Sequence, residues 1–172
     1  MSESRMTLNE DGAKVWRNAE GHRHRDGGPA VEHGDGTKEW YQDGRRHRED
    51  GPAIERPRGP SEWYREGLVH REELPAVEWQ DGGKEWWEQG QRHREAGPAI
   101  DEASGKKEWW RQGVKHRRDG PAVIHPDGRK EFWLNGHQYT QEKHEAFRQE
   151  NLRLREKELA RAIFKTKKTP QP

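Results

Sequence analysis

Residues 85–100 read EWWEQGQRHREAGPAI, and this stretch decides the fold because its pattern recurs every 23 residues. Three parts repeat together: a glutamate before two aromatic residues, a His-Arg pair, and Pro-Ala followed by a β-branched residue. A fixed period of this length is typical of stacked supersecondary units, each packing on its neighbours. The sequence therefore predicts a repeat array rather than a globular domain with one broad core.

The pattern holds over five units, and Ala13 to Gly21 resembles a degenerate unit before them. The His-Arg pairs are His24-Arg25, His47-Arg48, His70-Arg71, His93-Arg94 and His116-Arg117. The Pro-Ala stretches begin at Pro29, Pro52, Pro75, Pro98 and Pro121. The glutamates before the aromatic pairs are Glu39, Glu62, Glu85, Glu108 and Glu131.

Composition limits the kind of core that the chain can build. Leu, Ile, Val and Phe make up only 20 of 172 residues, which is typical of disorder when the net charge is high. The net charge is only +1, however, and nine tryptophans can each bury about 150–250 Å². We therefore expect thin layers, each burying one or two rings and one Val or Ile.

The same composition limits the chemistry and the cellular location that we expect for the protein. There is no cysteine, which excludes disulfides and thiolate chemistry. No apolar run approaches the roughly 20 residues of a membrane span, and residues 1–10 lack the apolar stretch of a secretory signal. We expect a protein without a membrane span in the cytoplasm, and in the host cytoplasm if the chain is encoded by a phage.

Turn signals divide each unit into segments of strand length. Asp35-Gly36, Asp81-Gly82 and Asp127-Gly128 indicate one hairpin turn. A second turn is indicated at Asp43-Gly44, Glu66-Gly67, Gln89-Gly90, Gln112-Gly113 and Asn135-Gly136. Segments this short favour strands over helices. We predict that each Pro-Ala-Val/Ile strand pairs with a Lys-Glu-aromatic-aromatic strand, and that the His-Arg segment returns the chain to the next unit.

Alternation along a strand predicts which side chains share a face. Val77 and Trp79 should point inward, with Glu78 between them pointing outward. The first aromatic residue of each pair is expected in an inner column: Trp40, Trp63, Trp86, Trp109 and Phe132. The second is expected in an outer, partly exposed column: Tyr41, Tyr64, Trp87, Trp110 and Trp133.

The repeat ends at Tyr139, and a helix is predicted after it. Thr140 can cap a helix, and residues 141–164 contain neither Gly nor Pro. The first turns of this helix should cover the open end of the last sheet layer. The predicted organisation is a loose N-terminus (1–12), a β-repeat array (13–139), a C-terminal helix (140–164) and a disordered basic tail (165–172). The fold class is mainly β: stacked β-hairpins forming an elongated single-layer or solenoid-like sheet, with one C-terminal helix.

The Gly-x-x-His-Arg, Gly-Pro-Ala and Trp-Trp/Tyr signature resembles the MORN-like repeat class between Ala13 and Tyr139. The Tyr-x-Gly pattern of typical MORN repeats is replaced by Trp-Tyr/Trp-x-x-Gly, so the resemblance is to a variant of that class. The resemblance implies stacked β-hairpins that serve as an interaction surface, and some MORN proteins are linked to lipid or scaffold binding. The repeats are also similar to those of bacteriophage and large DNA virus proteins, which implies a viral accessory protein that inhibits a host factor.

Neither a metal site nor catalysis is expected from the repeated histidines. Equivalent His side chains would lie one layer apart, roughly 10 Å, which is too far to share a metal ion. An active site needs one distinct constellation, whereas here every unit carries the same groups. We therefore expect no enzyme activity, no metal and no cofactor.

The His-Arg pairs admit a structural and a functional interpretation. In the structural one, Arg stacks on the Trp of a neighbouring layer and pairs with the glutamate before the aromatic pair, while His satisfies turn carbonyls. In the functional one, arginines and the outer rings form a binding strip. The candidate binding residues are Tyr41, Tyr64, Trp87, Trp110, Trp133, Arg48, Arg71, Arg94 and Arg117.

We expect this strip to bind another macromolecule, with a protein as the favoured partner. A ligand-binding protein that captures a nucleotide or another anion near Arg71, Arg94 and Trp87 is the second hypothesis. A nucleic-acid binder is the third, since Lys165, Lys167 and Lys168 could add attraction to phosphates. The chain is expected to be a monomer or a homodimer paired through its helix.

Overall fold

The structure is a computed structural model that describes residues 4–167. Within these residues, twenty-one strands precede one helix, α1 (Gln141–Lys167). The strands are β1 (Arg5–Leu8), β2 (Lys14–Arg17), β3 (Val31–Glu32), β4 (Lys38–Glu39), β5 (Tyr41–Gln42), β6 (Arg45–Arg46), β7 (Ile54–Glu55), β8 (Ser61–Glu62), β9 (Tyr64–Arg65), β10 (Leu68–Val69), β11 (Val77–Glu78), β12 (Lys84–Glu85), β13 (Trp87–Glu88), β14 (Gln91–Arg92), β15 (Ile100–Asp101), β16 (Lys107–Glu108), β17 (Trp110–Arg111), β18 (Val114–Lys115), β19 (Val123–Ile124), β20 (Lys130–Leu134) and β21 (His137–Tyr139).

The strands form one long antiparallel sheet and four short hairpins. The long sheet has thirteen strands among the described residues, in the order β1-β2-β3-β4-β7-β8-β11-β12-β15-β16-β19-β20-β21. The hairpins β5–β6, β9–β10, β13–β14 and β17–β18 are the segments that this order leaves out. The predicted fold class is confirmed: the chain is mainly β, open and elongated, with one C-terminal helix. Within residues 4–167, no helix has both the length and the apolar character needed to cross a membrane.

Each 23-residue unit contains two hairpins rather than one. The predicted Lys-Glu-aromatic-aromatic strand is interrupted at the first aromatic residue in four of the five units. Trp40 shows why: its N–H donates to Ala53 O of the long sheet (2.8 Å), while its carbonyl accepts from His47 N of the short hairpin (3.2 Å). The chain changes partner at this residue, so a continuous strand cannot form.

The second turn of each unit has the geometry of a tight hairpin. Asp43 and Gly44 both have positive φ, at 47° and 80°, as a type I′ turn requires. The N–H of Gly44 donates to Arg23 O in the preceding unit (2.9 Å), and Gly67, Gly90, Gly113 and Gly136 repeat this contact with carbonyls 21 residues earlier. The short hairpins are therefore stacked on one another by backbone hydrogen bonds.

The core is a column of small and β-branched side chains. The alanines after the repeated prolines are fully buried: Ala30, Ala53, Ala76, Ala99 and Ala122. The residues next to them in sequence are also buried: Val31, Ile54, Val77, Ile100 and Val123. Trp79 was expected to join Val77 in the interior, and this prediction is wrong, because Trp79 is 45% exposed. The two-residue strand ends at Glu78, and the turn after it takes Trp79 out of the pleat.

Both ends of the array carry an element that differs from the repeat. Residues 5–8, expected to be loose, form β1 and pair with β2. The helix begins as predicted after Thr140, whose hydroxyl accepts the N–H of Lys143 (3.3 Å). It runs to Lys167, so residues 165–167 of the predicted tail are helical, whereas residues 168–172 lie outside the described part of the chain.

Helix α1 covers the last layer, as the sequence predicted. His144 is 1% exposed, its Nε2 lies 2.8 Å from Arg117 O, and its ring packs against Phe132 with the centroids 5.1 Å apart. Farther along, Phe147 and Leu154 remain exposed on one side of the helix, and Leu152, Leu159 and Ile163 on another. Pairing of two copies through these side chains stays a prediction.

We predict that Gln89→Asn stabilises the fold. Gln89 has a φ of 48°, a conformation that Asn adopts more readily than Gln, and Asn-Gly is the favoured sequence of this turn. The melting temperature should rise, with a gain in unfolding free energy of up to about 0.5 kcal/mol. Gln91→Asn, two residues farther along in strand β14, is the matched control and should not be stabilising. Equal effects of the two substitutions would contradict this explanation.

Candidate functional site

The arginine of each His-Arg pair lies on the first aromatic ring of its own unit. Arg48 is 4.0 Å from the centroid of Trp40, and the other stacks join Arg25 to Trp16, Arg71 to Trp63, Arg94 to Trp86 and Arg117 to Trp109, at 3.6–4.0 Å. The expected cation–π contact is therefore present, but it is not with a neighbouring layer. Arg48 comes eight positions after Trp40, and the intervening hairpin folds the arginine back onto the ring.

The same arginines are held by two further contacts. Each donates from Nη1 to the carbonyl of the proline four residues later, as Arg48 does to Pro52 O at 3.1 Å. Arg25, Arg48 and Arg71 also pair with an acid seven residues later: Glu32 at 3.1 Å, Glu55 at 2.6 Å and Glu78 at 3.1 Å. The expected pairing of these arginines with the glutamate before the aromatic pair is wrong, because that glutamate accepts hydrogen bonds from other side chains.

That glutamate holds the second aromatic residue instead. Tyr41 Oη donates to Glu39 at 2.8 Å, and Trp87 Nε1 donates to Glu85 at 3.0 Å. Tyr64, Trp110 and Trp133 bond Glu62, Glu108 and Glu131 in the same way. Tyr and Trp can exchange at this position because each has one N–H or O–H donor at the far side of its ring. Burial, together with the bond to Glu62, raises the pKa of Tyr64 to about 12.

The division into an inner and an outer aromatic column is not upheld. In the first set, Trp86 is buried and the other members are half-buried; in the second, Tyr41 is buried and the others are half-buried. Cations lie between three pairs of successive rings of the second set: Arg46 between Tyr41 and Tyr64, Arg92 between Trp87 and Trp110, and Lys115 between Trp110 and Trp133. In the first set, the repeat arginines cover the four tryptophans, and the His144 ring packs against Phe132, so neither set forms a bare surface.

The histidines accept hydrogen bonds from the next unit. His47 Nδ1 accepts the backbone N–H of Glu66 at 3.3 Å, and His24, His70, His93 and His116 repeat this contact with the residue 19 positions later, at 3.1–3.2 Å. The expected bonds from His to turn carbonyls are therefore wrong in direction, since the ring nitrogen accepts. The sequence could not show this, because a neutral imidazole both donates and accepts.

Four hollows lie in a row where successive His-Arg pairs face each other. The first hollow (about 410 Å³) lies between Arg25 and Arg48, and the second (about 380 Å³) lies between Arg48 and Arg71. The third (about 610 Å³) lies between Arg71 and Arg94, and the fourth (about 600 Å³) between Arg94 and Arg117. Each is open on its outer side and shares one His-Arg pair with the next.

These hollows bring most of the expected binding residues together. Of the candidate binding residues, Tyr41, Tyr64, Trp87, Trp110, Arg48, Arg71, Arg94 and Arg117 line them, whereas Trp133 lines none of the four. The first aromatic residues were not among the candidate binding residues, yet they also line the hollows: Trp40, Trp63, Trp86 and Trp109. The exposed residue after each aromatic pair lines a hollow too, and it was not among the candidates either: Gln42, Arg65, Glu88 and Arg111.

The charge of the lining alternates in sign along the row. Two Arg and three Asp/Glu line the first hollow, and three Arg and two Glu line the second. Two Arg and four Glu line the third hollow, whereas four Arg and two Asp/Glu line the fourth. The row therefore presents no uniform field to a ligand. Among residues 4–167, no group of three or more His, Asp or Glu residues could hold a metal ion.

Comparison with known proteins gives no further guidance: no protein-family model matches the chain, and no curated protein matches it.

We predict that the arginine stack is a structural requirement. Arg71→Lys keeps the charge but loses the planar contact with Trp63 and the fixed donors toward Pro75 O and Glu78. The free energy of unfolding should fall by about 1 kcal/mol, measured by urea denaturation. Arg65→Lys is the matched control, because Arg65 is exposed and its ion pair with Glu72 is also exposed. A control as damaging as Arg71→Lys would argue against the stack.

We predict a loss of stability below about pH 6.5 that depends on His116. Burial lowers the pKa of His116 below its ordinary value of 6.5. As the pH falls through 6.5, the unfolded chain therefore takes up a proton that the folded chain resists, and stability declines. His116→Gln should flatten the change in urea midpoint between pH 7.5 and 5.5, whereas His22→Gln, at an exposed ring, should not. An unaltered slope in His116→Gln would exclude this origin.

Proposed function

We propose that this chain is a non-enzymatic binding protein that uses the row of four hollows to hold a segment of another protein. The observation that carries the proposal is the row itself: four open hollows lined by equivalent residues, each sharing a wall with the next. Extended surfaces built by stacked repeats are typical of proteins that bind other proteins. Arg and Trp, which line these hollows, are also the residues most enriched at the centres of protein interfaces.

The openness of the hollows favours a polymer over a small ligand. A small-molecule site encloses most of its ligand, whereas each of these hollows is bounded by two units and open outward. Equivalent points along the row are about 10 Å apart, two strand spacings, so an extended chain would advance about three residues per hollow. The third hollow, near Arg71, Arg94 and Trp87, is where nucleotide capture was expected, and it lacks that enclosure.

The alternating charge favours a polypeptide over a nucleic acid. Nucleic-acid affinity comes largely from a positive surface that displaces counterions from the phosphates. Here the first and third hollows carry more acidic than basic side chains, so a uniformly charged backbone would be repelled at every second hollow. A polypeptide can vary its charge along its length, and it can match such a row.

Helix α1 supports the same interpretation from within the chain. His144 packs on Phe132 and lies within hydrogen-bond distance of Arg117 O, at the place where a further hollow would come after the fourth. A protein segment therefore already covers the next position of the row. The resemblance to repeats of phage and large-virus proteins makes host-cell proteins the first class in which we would look for the partner.

We predict that reversing the charges of Arg65 and Glu88, two exposed residues at the rim of the hollows, strongly reduces capture of the partner. The full chain would be used for affinity purification from its native cell, with captured proteins identified by mass spectrometry. Arg65→Glu with Glu88→Arg changes two exposed rim residues without altering net charge, and recovery should fall at least about tenfold, which corresponds to about 1.4 kcal/mol. Glu10→Arg with Lys84→Glu is the charge-matched control at exposed positions outside the hollows, and it should retain the partner.

Three outcomes would contradict the proposal. The first is equal recovery with the rim variant and the control. The second is a rise in melting temperature with nucleotides in the absence of any protein partner, which would favour the ligand-binding alternative. The third is salt-sensitive binding of oligonucleotides, which would favour the nucleic-acid alternative.

A further inference from the structure

We propose that the fourth hollow contains an anion-binding site centred on Arg94, which takes a carboxylate of an acidic segment in the protein partner. This inference rests on the proposed function and adds the chemistry of the recognised segment. Arg94 differs from the equivalent arginines of the other units, because among residues 4–167 it lacks the acidic partners that they have.

Two positions supply carboxylates to the other repeat arginines. In two units, the residue two positions after the repeat arginine is an acid that pairs with it: Arg48–Asp50 at 2.8 Å and Arg117–Asp119 at 3.0 Å. The residue seven positions later pairs with Arg25, Arg48 and Arg71 at 2.6–3.1 Å. Each of the four other arginines therefore has at least one carboxylate within hydrogen-bond distance.

Both positions are changed around Arg94. The nearer one is Ala96, which has no carboxylate, and the farther one is Asp101, which is one methylene shorter than glutamate and pairs with Lys107 at 3.2 Å. Among the described residues, the Arg94 side chain makes one hydrogen bond, to Pro98 O at 3.2 Å, and stacks on Trp86 at 3.6 Å, while its backbone N–H donates to Trp110 O at 3.4 Å. Arg94 is half-buried, and burial lowers the pKa of its guanidinium, although the nearby Asp101 partly offsets this effect.

A guanidinium has five N–H donors in a fixed fork, and it binds carboxylates in a planar, two-point geometry. Stacking on Trp86 fixes the plane of the Arg94 fork, so little side-chain freedom remains to be lost when an anion binds. The donors that have no partner within residues 4–167 and the fixed plane together make Arg94 a preorganised site for a carboxylate.

The surrounding charges place the anion in the fourth hollow rather than the third. Arg111 and Arg118 line the fourth hollow, are exposed, and form no ion pair among residues 4–167. The third hollow, on the other side of Arg94, is lined by four glutamates, which would repel an anion. Glu95 borders both hollows and is the acid nearest in sequence to the site. In the first and second hollows, each lining arginine already has an acidic partner.

The acidic third hollow also indicates which residues should lie beside the carboxylate in the bound segment. A segment that places a carboxylate on Arg94 and continues into the third hollow should present basic side chains there, about 10 Å away. An extended chain covers that distance in about three residues. The recognised segment is therefore acidic at one end and basic about three residues farther along.

The test is isothermal titration calorimetry, in which the full chain is titrated with the peptide EEAAKK and, for comparison, with inorganic phosphate. The key variant is Ala96→Asp with Asp101→Glu, which restores the two carboxylates found around Arg48 without removing any arginine. Peptide affinity should fall at least about tenfold, as expected when a charge-assisted pair is already formed within the chain, while the melting temperature is maintained or raised. Arg94→Gln should give the same loss.

Ala103→Asp is the matched control. It adds the same carboxylate as Ala96→Asp at an exposed alanine that lines none of the four hollows, and it should leave peptide affinity unchanged. The inference is overturned if the wild-type chain does not bind EEAAKK, if the Ala96→Asp, Asp101→Glu variant binds it undiminished, or if phosphate binds as tightly as the peptide.

The outcomes separate this inference from the proposed function. If the variant still captures a partner that requires Arg65 and Glu88, the function stands and the Arg94 site fails. If no partner is captured from cells but EEAAKK binds and the variant loses it, the Arg94 site stands and the function fails.

Discussion

The contact between a repeat arginine and the first aromatic ring of its unit is the interaction on which the rest of this structure depends. It occurs in five successive units with centroid distances of 3.6–4.0 Å. In each unit the same guanidinium also holds the carbonyl of the proline that precedes the buried alanine. The arginine thus covers the ring and fixes the loop that begins the next core strand. A chain with so few aliphatic residues needs such contacts, because its rings would otherwise face water.

The repeated contacts build a scaffold, and the differences between units lie at its surface. Alanine is invariant among the five buried positions, while the exposed rim position reads Gln42, Arg65, Glu88 and Arg111 in successive hollows. This division is typical of repeat proteins, in which common positions carry stability and variable ones carry recognition. Arg94 belongs to both groups, since it keeps the stack and has lost the carboxylates. Local departures from an otherwise consistent pattern are where function is expected.

Much of the fold could be predicted from the sequence because its signals are local. The 23-residue period, the Asp-Gly and Gln-Gly turns and the capped helix after Thr140 each depend on neighbouring residues, and each is found where expected. The assignment of faces was less successful. Trp79 is exposed, and the two aromatic columns are buried to similar extents, because strands of two residues are too short for alternation to determine a face.

The sequence by itself determined that near-identical units stack, where they turn and where the array ends, since backbone conformation and period are written in adjacent residues. Only the tertiary structure decided which acid each arginine meets, that Nδ1 of each repeated histidine accepts a backbone N–H of the next unit, and that the His-Arg pairs enclose a row of hollows of alternating charge. Those pairings depend on how the second hairpin of each unit folds back over the first, which brings Arg48 onto Trp40 and His47 to the turn at Glu66. The physical reason is that a charged side chain can reach several acids of equal chemistry, and only packing selects among them.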